Sequence, residues 1–314
     1  MKKDLLSFMG AMVCCLLWGS AFPAIKLGYE LWDIGDGETA KIITFAGARF
    51  FLAGALVILF QSISKKAFIR PRRDEWGKIM LLSLFQTIGQ YLFFYIGLAH
   101  TTGVNSAVVD SLTTFFAIII ASLVMKMERL GSRKILGCVL GFAGVVIISI
   151  TPEGFSFSPA GDGLVALSAL CYGVSSSLIK KYSAEHDTVL FSGYQFLFGG
   201  AVMMLAAGAI GGMGGDSLPS LPKDPAKGMM MLLYLSLVSS VAYTLWGVLL
   251  RNNDVSKISI FGFMNPVIGV MLSAVLLGEY GILGAKHLLS LVLIALGILV
   301  VNYRKPPDKN SCQI

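Results

Sequence analysis

Residues 105–130 read NSAVVDSLTTFFAIIIASLVMKMERL, and residues 256–281 read SKISIFGFMNPVIGVMLSAVLLGEYG. Each is a continuous apolar run closed by a glutamate, Glu128 in the first and Glu279 in the second. Neither alternates apolar and polar residues, so a lipid-facing strand is excluded and a membrane-crossing helix is implied. An ungapped shift of 151 also carries Tyr95 to Trp246 and Thr114 to Asn265. Upstream, LLWGSAFPAIK at 16–26 falls on LCYGVSSSLIK at 170–180, and FAGARFFLAG at 45–54 falls on FSGYQFLFGG at 191–200. The chain reads as a doubled unit.

Working outward from these blocks, ten apolar runs lie near 8–27, 42–62, 77–98, 105–125, 133–150, 163–181, 189–210, 228–249, 257–277 and 284–302. Each approaches the ~20 residues needed to span ~30 Å of hydrocarbon. Apolar types make up 55% of the 314 residues and charged types 14%, with a mean hydropathy of +0.76. A soluble domain carries ~25% charged residues. The composition therefore excludes a soluble globular domain, a disordered chain and a nucleic-acid binder. The first run follows Lys2 and Lys3 but is too long for a signal-peptide core, and it reads as a retained helix.

Basic residues set the orientation. With the N-terminus inside, 19 Lys and Arg face the cytoplasm, five face out, and Arg49 alone lies within a span. The net charge of +7 is thus a topology signal that puts both termini in the cytoplasm, as for a multi-pass plasma (inner) membrane protein. Five spans per unit is an odd number, so the second unit enters from the opposite side. The expected fold is an all-α integral membrane protein: ten transmembrane helices as two inverted five-helix repeats around a central cavity. Residues 1–152 form the first repeat, 153–303 the second, and 304–314 a cytoplasmic tail. Inverted repeats suit alternating access around a midplane site.

The first-helix stretch LLWGSAFPAIK and the doubled block ending in glutamate resemble the drug/metabolite transporter superfamily, in its ten-helix EamA type. The resemblance covers nearly the whole chain. It implies a basket-like fold with a central cavity, and export or exchange of small organic solutes such as amino acids and other metabolites. Family members usually carry a proline near the middle of the fourth and ninth helices. Pro266 supplies the ninth, whereas Phe115 stands at the fourth-helix position and that helix also carries Asp110.

A charge within a span costs about 2.5–3.5 kcal/mol on insertion scales, which makes Arg49 and Asp110 candidates for a role. Counted from the ends of their apolar runs, both sit ~8–10 Å deep at 1.5 Å per residue, a match that permits an ion pair. They either pin two helices together, or Asp110 takes a proton or cationic group and Arg49 a carboxylate. Pro23 and Pro266 are expected helix breaks that free backbone acceptors. Gln90, four residues after Gln86, together with Tyr91, Tyr95, Tyr243, Trp246, Trp18 and Tyr172, gives aromatic walls with a few polar groups, the composition of a small-molecule pocket. Trp18, Tyr95, Tyr172 and Trp246 are expected to bound one midplane cavity, with each repeat-related pair on opposite walls. Ser176 and Asn265 would add polar handles; each of these side chains reads equally as helix packing.

Glu128 and Glu279 read as interfacial charges beside Arg133 and Lys286, and the three histidines as solvated span ends. Five scattered cysteines suggest neither a disulfide framework nor a metal site, and no cofactor is implied. There is no P-loop for an ATP-driven pump, no HExxH, and one intramembrane carboxylate, so intramembrane enzymology ranks low. A flippase or antiporter for nucleotide- or lipid-linked sugars would need more intramembrane cations than Arg49. The expectation is a secondary carrier for a small organic metabolite such as an amino acid or amine, coupled to a proton or counter-substrate, in contact with lipid, with an oligomeric state that the sequence leaves open down to the monomer.

Overall fold

The computed structural model describes residues 2–35, 37–98, 100–101, 106, 109–150, 158–212, 222–276 and 285–303. Within them every apolar run becomes a helical rod. α1 is Lys2–Leu31, α2 Thr39–Ser64, α3 Trp76–Leu98, α4 Leu112–Val124 and α5 Ser132–Ser149. α6 is Pro159–Tyr182, α7 Thr188–Gly212, α8 Pro225–Asn252, α9 covers 255–276 and α10 is Ala285–Asn302. No strand occurs among the described residues. Six rods, α1 to α3 and α6 to α8, are long and apolar enough to cross a membrane, while Leu112–Val124, Val255–Gly269 and Leu288–Asn302 are shorter apolar helices.

Local chemistry sets the starts. Ser158 accepts from Gly161 N (3.1 Å) and Asp224 from Lys227 N (3.1 Å), each followed by a proline at the first helical position. There a missing N–H costs nothing. Three rods change winding along their length: α3 widens to a π-helix at Leu84–Gly89, α4 does so at Ile120–Val124, and α9 tightens to 3-10 at Ile260–Phe263.

The expected break at Pro23 does not form. α1 runs unbroken for 30 residues through this buried proline, because one lost backbone bond does not end a helix held along its length by α8 and α9. In α9 the change of winding lies just upstream of Pro266, which falls within Met264–Leu276.

α2 packs on α7 and α5 on α10; α1 touches α8 and α9, while α6 touches α3 and α4. Moving every helix number by five returns the same set of pairings. The two pairings that map onto themselves are glycine seams. A Cβ on Gly54 would sit 2.4 Å from Leu197 N, and one on Gly200 would sit 2.6 Å from Gly47 O. In the second seam, a Cβ on Gly137 would meet Gly297 O at 2.8 Å, and one on Gly144 would meet Ser290 O at 2.9 Å. In both seams advancing along one helix means retreating along the other, so the partners run antiparallel.

Polar contacts tie the halves at the end where α1 begins. Glu128 accepts from Ser256 N (3.0 Å) and Oγ (2.8 Å) and pairs with Lys134 (3.1 Å). Its expected neighbour Arg133 lies over the Tyr303 ring, 5.3 Å from the centroid, while Lys286 donates to Ile150 O, and Glu279 falls outside the described residues. His100 is exposed as expected and the His287 side chain is not among those described, but His186 is buried. Lys78 Nζ donates to His186 Nε2 (2.7 Å), which leaves Nδ1 to donate to Glu75 Oε1 (2.9 Å). Next to it, Asp187 caps α7 through Val189 N (2.9 Å) and accepts from Lys65 Nζ (2.5 Å).

Two outcomes are expected. Gly54→Leu forces a side chain into the backbone of α7 and costs well above the ~1–3 kcal/mol of ordinary overpacking, whereas Gly208→Leu, with nothing within 4 Å of its Cβ, leaves the thermal midpoint unchanged; a melting curve in detergent decides. At Asp187, burial would raise the carboxyl, but Lys65 and the N–H groups of Leu190 and Val189 outweigh it and hold it below the usual carboxylate value. Such a group stabilises the fold above its unfolded pKa, and the benefit is lost as pH falls through its folded pKa. Asp187→Asn therefore melts earlier than the wild type at pH 7, and the gap closes on acidification below pH ~4.

Candidate functional site

Facing residues of α1, α2, α3, α7 and α8 build one aromatic cluster. Trp18 meets Tyr243 at 5.0 Å and Trp246 at 4.9 Å between ring centroids, both edge to face. Phe50 meets Tyr91 at 4.4 Å, Phe196 at 5.4 Å and Tyr243 at 6.5 Å, and Tyr95 lies 6.1 Å from Tyr91. The Tyr91 and Tyr243 hydroxyls are hydrogen-bonded to each other. Offset and edge contacts of this kind contribute ~0.5–1.5 kcal/mol each beyond burial. The rings interlock, with Trp18 packed directly on Trp246, and among the described residues neither repeat-related pair, Trp18 with Tyr172 or Tyr95 with Trp246, is in ring contact. A cavity of about 420 Å³ opens elsewhere, at the end where α1 begins, among Ser7, Phe8, Asn253, Lys257, Phe261 and Asn302.

The remaining candidates border this cluster or stand apart from it. Tyr172 is hydrogen-bonded to Ser176 within α6. Gln90 is buried with its Oε1 unpartnered. Asn265 leaves its Oδ1 unpartnered on α9, where Thr114 Oγ1 donates to Ser259 O (3.1 Å) to bind α4.

Arg49 and Asp110 do not pair. Among the described residues neither has an ion-pair partner. α2 begins at Thr39, so Arg49 lies ten residues, ~15 Å along the axis, into this helix. Arg49 is buried, donates through Nε to Ser239 Oγ (2.8 Å) and Leu235 O (3.2 Å) on α8, and lies over the Phe50 ring at 5.3 Å. Asp110 sits one residue before the turn that precedes α4.

Gln195, which the sequence repeat places opposite Arg49, makes the corresponding clasp. It accepts from Thr87 Oγ1 (2.6 Å), and its carbonyl accepts from Ser83 Oγ (2.8 Å), both on α3. Each half thus pins its second helix to the third helix of the other, once with a cation and once with an amide. Phe50 and Phe196, which follow these two residues and stack on one another, were not singled out in the sequence; the matched stretches 45–54 and 191–200 contain both.

The EamA-like transporter family model matches twice, over residues 5–150 and 159–303. An uncharacterized transporter of Archaeoglobus fulgidus is 26% identical over 268 residues, covering 84% of this chain and 86% of its own. The uncharacterized inner membrane transporter YedA of Escherichia coli K12 is 24% identical, covering 95% and 90%. YvbV of Bacillus subtilis, likewise an uncharacterized transporter, is 25% identical, covering 94% and 90%. A crystal structure superposes with a TM-score of 0.74 over 94% of this chain and 96% of its own at 18% identity, a likeness of fold. The protein is a multi-pass membrane transporter for a small molecule rather than an enzyme, and it belongs to the EamA-like transporter family.

Proposed function

We propose that this chain is a secondary carrier that moves a small organic metabolite such as an amino acid or amine across the plasma membrane by alternating access, working as an exporter or exchanger. All ten rods cross the bilayer as two inverted five-helix repeats, with both termini in the cytoplasm. The observation that carries the reading is the self-mapping set of helix pairings, with antiparallel seams between α2 and α7 and between α5 and α10. Repeat-related helices that run in opposite directions can exchange conformations, which opens a shared centre to each side in turn. The aromatic cluster with Arg49 and Asp110 at its margins is that centre. Flat rings give contact area, and the few polar groups fix orientation. The inner-membrane description of YedA and the basic residues gathered at one end support the plasma membrane and the orientation.

Reconstituted protein should exchange labelled amino acids or amines across liposomes with saturable kinetics. A thiol cross-link between Lys65→Cys and Asp187→Cys, in a background freed of native cysteines, should stop that exchange until it is reversed. Flux that continues with the inner end clamped would refute alternation. In intact cells Ala226→Cys should label directly and Ser64→Cys after permeabilisation; the opposite pattern would reverse the orientation.

A further inference from the structure

The aromatic cluster holds hydrogen-bond donors in excess. Trp246 Nε1 is buried without an acceptor, in a side chain 1% exposed, and Trp18 Nε1 is likewise unpartnered. Arg49 spends Nε on Ser239 and Leu235, and its two terminal nitrogens have no hydrogen-bond partner among the described residues. Scaffolding does not explain the charge, because Gln195 performs the matching clasp in the other half with a neutral amide. A cation is retained deep in the bundle where an amide suffices for packing, with the fork of its guanidinium uncommitted.

We propose that the terminal nitrogens of Arg49 receive the carboxylate of the transported solute, so that the carrier takes organic anions and zwitterions with a flat apolar body and rejects simple amines. A carboxylate offers two coplanar acceptors that match the guanidinium fork, and such charge-assisted pairs are roughly twice as strong as neutral hydrogen bonds. The body of the solute lies against Trp18 and Tyr243, and an indole N–H serves its remaining polar atoms. Asp110, which has no ion pair with Arg49, takes no part in holding the carboxylate. This inference rests on the carrier reading above and narrows its substrate class.

The test uses the full-length protein in nanodiscs and equilibrium dialysis of labelled 3-phenylpropanoate against 3-phenylpropylamine, which share a ring and differ in charge. The wild type should bind the acid and ignore the amine. Arg49→Gln, which copies the residue at the repeat-related position, should keep its thermal midpoint and lose affinity for the acid by about tenfold or more, as for a lost charge-assisted hydrogen bond. Arg49→Lys, which keeps the charge without the fork, should fall between, and it serves as the second variant should Arg49→Gln misfold. Acid binding unchanged in Arg49→Gln or in Arg49→Lys overturns the inference. So does preference for the amine, or no binding of the acid by the wild type. None of these results touches the carrier reading, which fails instead if liposomes show no protein-dependent flux across a broad panel of amino acids, acids and amines.

Discussion

Backbone must meet backbone along two seams, α2 on α7 and α5 on α10, and the rest of the bundle follows from that closeness. In lipid no hydrophobic driving force joins one helix to another, so association rests on dispersion and on how near two rods can come. Gly47, Gly54, Gly193 and Gly200 leave the first seam with no side chains to hold it apart. Gly137, Gly144 and Gly297 do the same for the second. Because the seams pair equivalent helices of the two halves, they also fix where the halves meet. The aromatic cluster forms beside the first seam, where Phe50 and Phe196 stack across it.

Much of this architecture is legible in the sequence. A membrane helix announces itself by continuous apolarity, so the runs and their order need no tertiary information. The repeat was visible because paired glycines, such as Gly144 with Gly297 and Gly54 with Gly200, answer the same steric demand in both halves. The wall residues were legible as a class, aromatics well inside spans. Their mutual arrangement was not, because rotation of each helix about its axis decides whether Trp18 meets Trp246 or faces it across a gap.

The errors have specific causes. Matched depth permits Arg49 and Asp110 to pair without requiring it, because depth fixes one coordinate of three. Pro23 was expected to break α1 because proline breaks isolated helices; with neighbours packed along it, this helix continues through the proline. His186 was expected in solvent from its place at a span end, but Glu75, at the N-cap of α3, and Lys78, in the first turn of that helix, both bond to its ring.

The π-helical stretch at Leu84–Gly89 stores one more residue per turn than the rod around it, directly before Gln90, Tyr91 and Tyr95. A wide turn of this kind is a dislocation in the helix, and dislocations glide. Passing the surplus residue one turn along α3 would swing the side chains it crosses by about 100° around the axis while both helix ends stay anchored. The Tyr91 hydroxyl would then leave Tyr243 without any rigid-body motion of the bundle. Such a move would rearrange α3 locally, breaking a few backbone hydrogen bonds and the Tyr91 ring contacts while the rest of the bundle keeps its place.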